Sequence, residues 1–411
     1  MPIPPIIWII FLFALGSSVG SFINVVVYRL PREMSIVRPG SHCTLCEHPI
    51  AWYDNVPIIA WFLLRGRCRH CGGSFSIRYP MVELLTALLF VMLYWAYFLG
   101  EVREGLTDLS YGRWLIYIGH MVLICGLLVS SLIDGEHWII PLSVSYTVVG
   151  AALILSMIWP YFVAAAAEPL LNPAPWASIK TGALALGGAA GLGLSMILLK
   201  FGLIKRSFAD YDQEQEQPQG EKKHAPPNAR AEQGVKGEEI GIDLPPNIIR
   251  REMFREVIFL LPVVAGAVVL MSVLTSGGSP ASGWGRLILG QKWLCGLLGS
   301  VFGFMIGGGV VWATRIGGSL AFGKEAMGLG DVHLMAAVGA MLGWTSPVIA
   351  FFLAPFMGLS WALARLLIHR TREIPYGPFL SMATVIVMLA HDIIVQWFIE
   401  SFTLGPATVG I

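Results

Sequence analysis

Charge is the scarcest property of this sequence: Asp, Glu, Lys and Arg make up 13% of its 411 residues, against roughly 25% in soluble globular domains. With 55% hydrophobic residues and a mean hydropathy of +0.69, the chain falls outside the ordinary soluble class and reads as a polytopic membrane protein. An excess of one sign is missing too. A formal net charge of +1 provides no basic field for a phosphate backbone, which argues against nucleic acid as a partner. No basic residue precedes the first apolar run, since Arg29 and Arg32 follow it; the run reads as an uncleaved anchor and not as a signal peptide. A dinucleotide fingerprint of the Gly-x-Gly-x-x-Gly kind is absent. Cysteine is sparse, six in all, yet four of the six gather between positions 43 and 71.

What is abundant is apolar sequence in spans of about 20 residues, the length that crosses a bilayer. They fall near 6–27, 81–99, 114–133, 139–162, 180–200, 256–274, 294–314, 332–345, 346–368 and 379–399. The expected fold is therefore an all-α polytopic membrane protein of about ten transmembrane helices, with a small cytoplasmic zinc-binding module inserted after the first. The chain divides into a first transmembrane helix (1–28), a four-cysteine module (29–80), membrane helices carrying Asp134 (81–201), a polar loop (202–256) and membrane helices carrying Asp331 (257–411).

Short cytoplasmic loops collect Lys and Arg. Segment 28–80 holds Arg29, Arg32, Arg38, Arg65, Arg67, Arg69 and Arg78, so it is expected in the cytoplasm. Counting crossings from there puts Asp134, the loop, Arg315–Asp331 and the turn His369–Arg372 on the same side. Stretch 202–256 carries nine Lys/Arg and eleven Asp/Glu, a Gln/Glu run at 213–217 and two Pro-Pro pairs. Such a composition buries too little apolar surface to fold alone, and the stretch reads as a disordered loop.

Cys43-Thr44-Leu45-Cys46 and Cys68-Arg69-His70-Cys71 are separated by 21 residues. Two Cys-x-x-Cys knuckles at this distance have the ligand arrangement of a closed tetrahedral zinc site. A disulfide framework is disfavoured in a reducing compartment, and two matched pairs are superfluous for redox exchange. A fifty-residue module has little core of its own, so metal binding would supply much of its folding energy. Cys125 and Cys295, alone in apolar runs, are expected simply to pack.

The candidate chemistry lies in two aspartates. Asp331 stands in Gly328-Leu329-Gly330-Asp331 between apolar stretches, and Asp134 closes the run Trp114–Ile133. An acid kept at the edge of hydrocarbon is a functional candidate by default. Two acids sharing one site hold their protons unequally, so that one acts as base towards a water and the other as acid. Gly328 and Gly330 would let a substrate strand approach Asp331. The structural alternative is that each Asp caps a helix at the interface. Glu83 could be interfacial or could line the site, His333 could tune Asp331, and His391-Asp392 could satisfy each other inside the bundle. An ion-coupled transporter using intramembrane acids and a non-enzymatic secretion scaffold are the rival classes.

Taken jointly, Gly20-Ser21-Phe22-Ile23-Asn24, the two cysteine pairs, Arg65-Gly66-Arg67-Cys68, Ile77-Arg78-Tyr79-Pro80-Met81-Val82-Glu83, the Asp134 segment ending in Ile140-Pro141, Gly328-Leu329-Gly330-Asp331 and Pro375-Tyr376-Gly377-Pro378-Phe379 resemble the type IV prepilin peptidases, membrane aspartic proteases of pilus and type II secretion systems. The resemblance implies that Asp134 and Asp331 are catalytic. It also implies a prepilin or pseudopilin substrate, cut after a glycine at the cytoplasmic face of the bacterial inner membrane. Family members with the cysteine module commonly also N-methylate the new terminus with S-adenosylmethionine. The chain departs from the pattern at His333, where a lysine is usual, at Leu142, and by an insertion at 203–293 expected to add two crossings.

Overall fold

Backbone in hydrocarbon must satisfy its own hydrogen bonds, and the computed structural model meets that demand with helices. It describes residues 4–163 apart from 104, 107, 108, 110 and 111, together with 171–208, 245–276, 283–368 and 375–402. Among these, no strand forms beyond two isolated bridges, His42 with Pro49 and Arg67 with Ser74. In chain order the helices are α1 (Pro5–Arg29), the short α2 (Ile59–Leu63), α3 (Arg78–Tyr94), α4 (Trp114–His137), α5 (Leu142–Ile158) and α6 (Ile179–Lys200). They continue with α7 (Pro246–Thr275), the short α8 (Gly283–Gly290), α9 (Lys292–Phe322), α10 (Leu329–Leu342), α11 (Thr345–Ile368) and α12 (Gly377–Phe402).

Nine of the described helices are long and apolar enough to cross a membrane. The tenth apolar helix is α10, whose 14 residues rise only about 21 Å, short of a hydrocarbon core of about 30 Å. It is enclosed by protein: from Asp331 to Leu342 every residue but His333 is buried, as expected of a helix apolar on all faces.

Three helix pairs are drawn together by glycines four residues apart. A Cβ on Gly16 or Gly20 of α1 would stand 2.7 Å from the Ala87 Cα or 2.6 Å from the Glu83 Cα of α3, closer than carbon atoms approach. Gly187 and Gly191 of α6 meet the backbone of α7 at Gly266 and Pro262 in the same way, and Gly303 and Gly307 of α9 meet α10 at Gly339 and Met335. In lipid, where apolar surface has no reason to leave its solvent, such close backbone contact is what holds helices together.

Two sequence expectations are corrected. Composition assigned 246–256 to the polar loop, yet these residues open α7 behind Pro245. Their charges pair with one another and with α9, so polarity here does not prevent a helix. Among the described residues of 203–293, one helix, α7, is long enough to cross; it packs against α6, which precedes that segment. Residues 209–244 and the turn His369–Arg372 lie outside the described residues. Far from the aspartates, His391 Nδ1 and Asp392 Oδ1 do pair at 2.8 Å, and Cys295 packs as expected, its thiol donating to the Ala177 carbonyl at 2.9 Å.

Candidate active site and metal centre

Asp134 sits in the last turn of α4, which stops at Trp138 in the left-handed region, its N–H bonded to the Asp134 carbonyl. The side chain leaves its own helix and crosses to another. Asp134 Oδ2 accepts from the backbone N–H of Gly377 at 3.0 Å, the first residue of α12. The carboxylate thus stands at a helix N-terminus, where donors are unpaired and the dipole favours negative charge. A Cβ on Gly377 would fall 2.6 Å from that oxygen, so only glycine allows the contact.

Asp331 is the third residue of α10, behind Gly328 as N-cap, and the Gly328 backbone reaches back to its carboxyl group. Both acids are nearly enclosed, 7% and 6% exposed. Asp331 Oδ1 is buried with no protein partner. Ile140, just after α4, connects the two sides: a Cβ on Gly330 would stand 2.8 Å from its Cβ, and one on Gly377 3.2 Å from its Cδ1. The two glycines of the Gly-x-Gly-Asp stretch therefore have different duties. Gly330 is small because Ile140 fills the space, while Gly328 leaves room beside Asp331.

Glu83 and His333 make contacts with other elements. Glu83 is buried and its Oε2 accepts from the Ile58 N–H at 2.6 Å, tying α3 to the cysteine module. The half-buried His333 turns Nδ1 towards the Leu329 carbonyl at 2.9 Å and sets its ring edge-on to Tyr146. Ile140 and Gly377 stand in the sequence only inside the stretches that carry the family resemblance, and Arg315 only as the start of the segment Arg315–Asp331, with no role assigned to any of the three.

The cysteine module repeats one local design at an interval of 25 residues. Cys43 N–H donates to the His48 carbonyl at 2.9 Å and Glu47 N–H to the Cys43 carbonyl at 2.8 Å; Cys68 N–H donates to Gly73 at 2.8 Å and Gly72 N–H to Cys68 at 2.9 Å. Glu47 and Gly72, at equivalent places, both have positive φ. The knuckles bring all four Sγ atoms within 4.8 Å of one another, and Cys43 and Cys71 to 3.9 Å. Sulfurs about 2.3 Å from a tetrahedral ion lie about 3.8 Å apart, whereas a disulfide needs about 2.05 Å. The cluster could hold a metal ion. Backbone N–H groups, first that of Leu45, lower the Cys43 thiol to about 7. Against the pull of the His48 N–H, desolvation and the facing thiols push Cys46 up to about 12; a bound cation displaces the protons of thiols that become its ligands. Asp54 and Arg69 clamp the second knuckle at 2.6 Å. Between the module and α1 and α3 lies an open cleft of about 190 Å³ lined by Asn24, Tyr28, Trp61, Phe75, Tyr79 and Glu83, among others.

Comparison with known proteins covers both ends of this architecture. The Bacterial Peptidase A24 N-terminal domain matches residues 14–97, which contain the four cysteines and Glu83, and the Type IV leader peptidase family matches 268–363, which contain Asp331; Asp134 lies between them. A prepilin leader peptidase/N-methyltransferase of Myxococcus xanthus is 42% identical over 40% of this chain and 44% of its own length. That of Klebsiella pneumoniae is 34% identical over 37% and 64%. The more identical relatives are thus matched over about half their length, while that of Aeromonas hydrophila is 25% identical over 96% of this chain and 94% of its own. No solved structure matches. Two family segments thus match in their order, at 14–97 and 268–363, and the chain is similar nearly end to end to a prepilin leader peptidase/N-methyltransferase at 25% identity.

Proposed function

We propose that this protein is a prepilin or pseudopilin leader peptidase, an aspartic endopeptidase at the cytoplasmic face of a bacterial inner membrane, with Asp134 and Asp331 as the catalytic pair. One observation carries the reading: two buried carboxylates from different helices are brought to Ile140, Asp331 through Gly330 and Asp134 through Gly377, and one keeps an oxygen with no protein partner. Two such acids hold one proton between them. Asp134, at the start of α12 with the Gly377 N–H on its oxygen, is the better suited to carry the charge. It takes a proton from a water held between the pair as the water oxygen attacks the scissile carbonyl carbon, while Asp331 gives its proton to the carbonyl oxygen. The resulting diol collapses with Asp134 returning its proton to the leaving amine, and one diol hydroxyl restores the proton of Asp331. The leader would lie across the Gly328 side, where a glycine leaves room.

The four cysteines would hold a structural zinc, whose closed set of thiolates leaves no position for substrate. Bound S-adenosylmethionine supplies an electrophilic methyl group on a cationic sulfur. The cleft beneath the module suits it, because Trp61 and Phe75 line it beside the Glu83 carboxylate, a set that attracts a cation.

Mass spectrometry of the N-terminus of a co-expressed precursor reports cleavage and methylation together. Asp134→Asn and Asp331→Asn should each leave the leader attached while the enzyme still inserts in the membrane. Processing at the normal rate by either variant would overturn the assignment.

A further inference from the structure

Arg315 lies on α9, 2% exposed, and a buried guanidinium demands a counter-charge. Its Nη1 donates to the carbonyl of Met327 and to Glu325, both in the short loop leading to Gly328 and Asp331. Nη2 faces Glu256 at 3.3 Å and Nε approaches both Glu256 oxygens at 3.4 Å. Glu256 belongs to α7. That helix otherwise shows lipid an apolar window with no buried residue, and its only buried residues are Ile249, Glu252, Met253 and Glu256, all in its first three turns.

The acid is fixed from several sides. Trp312 Nε1 donates to Glu256 Oε2 at 2.6 Å and Ser207 Oγ to Oε1 at 3.4 Å. Next to it, Glu252 accepts from the Phe208 N–H at 3.0 Å and pairs with Arg255 at 2.7 Å. The Phe208 ring lies 6.0 Å from the Arg315 guanidinium. Ser319, one turn further along α9, takes the Ala326 N–H at 3.0 Å.

We infer that Arg315 is a positioning residue for the Asp331 loop, and that α7 sets it through Glu256. The inference rests on the peptidase reading above. Its chemistry is geometric: the forked guanidinium joins an acid on one helix to a carbonyl four residues before the reacting acid. Lysine, with a single point of donation, cannot span both.

The test compares purified full-length wild type, Arg315→Lys and Glu256→Gln in detergent or bilayer. Two quantities are read: kcat and KM for a precursor, and hydrogen exchange of the 324–331 amides. Arg315→Lys should keep KM within about threefold and lower kcat on the order of 100-fold, the usual cost of misplacing a reacting group by about 1 Å. Exchange in 324–331 should accelerate while exchange in α4 and α12 does not. Glu256→Gln should move both quantities in the same direction, less far, and decides the question if Arg315→Lys does not fold. Wild-type kcat together with wild-type exchange in a folded variant overturns the inference. If Asp331→Asn cleaves as well as wild type, the peptidase reading fails instead, and unchanged exchange in Arg315→Lys would still sink the loop contact independently.

Discussion

At Gly377 a hydrogen atom in place of a side chain decides whether two helices can share one carboxylate. The Asp134 oxygen that receives the Gly377 N–H occupies the volume a Cβ would need, at 2.6 Å. We predict that Gly377→Ala displaces the carboxylate, costs about 1–3 kcal/mol through overpacking, and lowers leader cleavage on the order of 100-fold; thermal unfolding and a precursor gel shift measure the two effects. Gly330→Ala should behave alike for a different reason, because its Cβ would strike the Ile140 Cβ at 2.8 Å. Gly328→Ala should fold normally, since there a Cβ meets Asp331 Oδ2 at an ordinary 3.5 Å. Any loss of activity in that variant would report crowding of the substrate.

Among the elements, the cysteine module and the α6–α7 pair depend on opposite forces. The module has two knuckles, short turns and a clamp between Asp54 and Arg69, and little apolar interior. Stripping the metal that the four cysteines are proposed to hold with a chelator, or substituting Cys46→Ser, should open the module to protease within 30–77 while the membrane helices stay resistant; limited proteolysis with mass mapping checks this. The α6–α7 pair relies on backbone approach at Gly187 and Gly191. Gly191→Leu should separate the two helices and, because α7 carries Glu256, reduce activity without touching either aspartate. Cross-linking between cysteines introduced on α6 and α7 would fall in parallel.

For the whole molecule, charged side chains buried in the bundle lie towards its two ends. One end holds the aspartates, Arg315 and the cysteine module. The other holds Tyr97 hydrogen-bonded to His120 at 2.7 Å, and Arg103 within 3.9 Å of Asp392, which also binds His391. Arg103 is 1% exposed and spans the α3–α4 connection and α12. Asp392→Ala should strand that guanidinium and destabilise the fold by about 3–5 kcal/mol, read as a lowered Tm in detergent. Asp134 and Gly377 lie at the opposite ends of the helices involved, so kcat per folded molecule should change little.

Much of this was legible along the chain because membrane burial and metal ligation write themselves in local terms. Apolar runs of bilayer length, two Cys-x-x-Cys pairs at one spacing and two acids at helix ends need no knowledge of which helix meets which. The helical start of α7 escaped detection because charged residues were read as solvated, whereas Glu252 and Glu256 are buried against arginines supplied by their own helix and by α9. The duties of Gly330, Gly377 and Ile140 escaped for a related reason: a glycine or an isoleucine acquires a role only from the atom placed opposite it. Sequence alone determined the class of structure, the four cysteines that gather in one cluster and the two acids proposed as a pair, since each was singled out by residue chemistry and spacing. Tertiary structure alone decided that α12 would hold Asp134 and that Arg315 would hold the Asp331 loop, because those contacts join residues far apart in the chain through packing that no local pattern encodes.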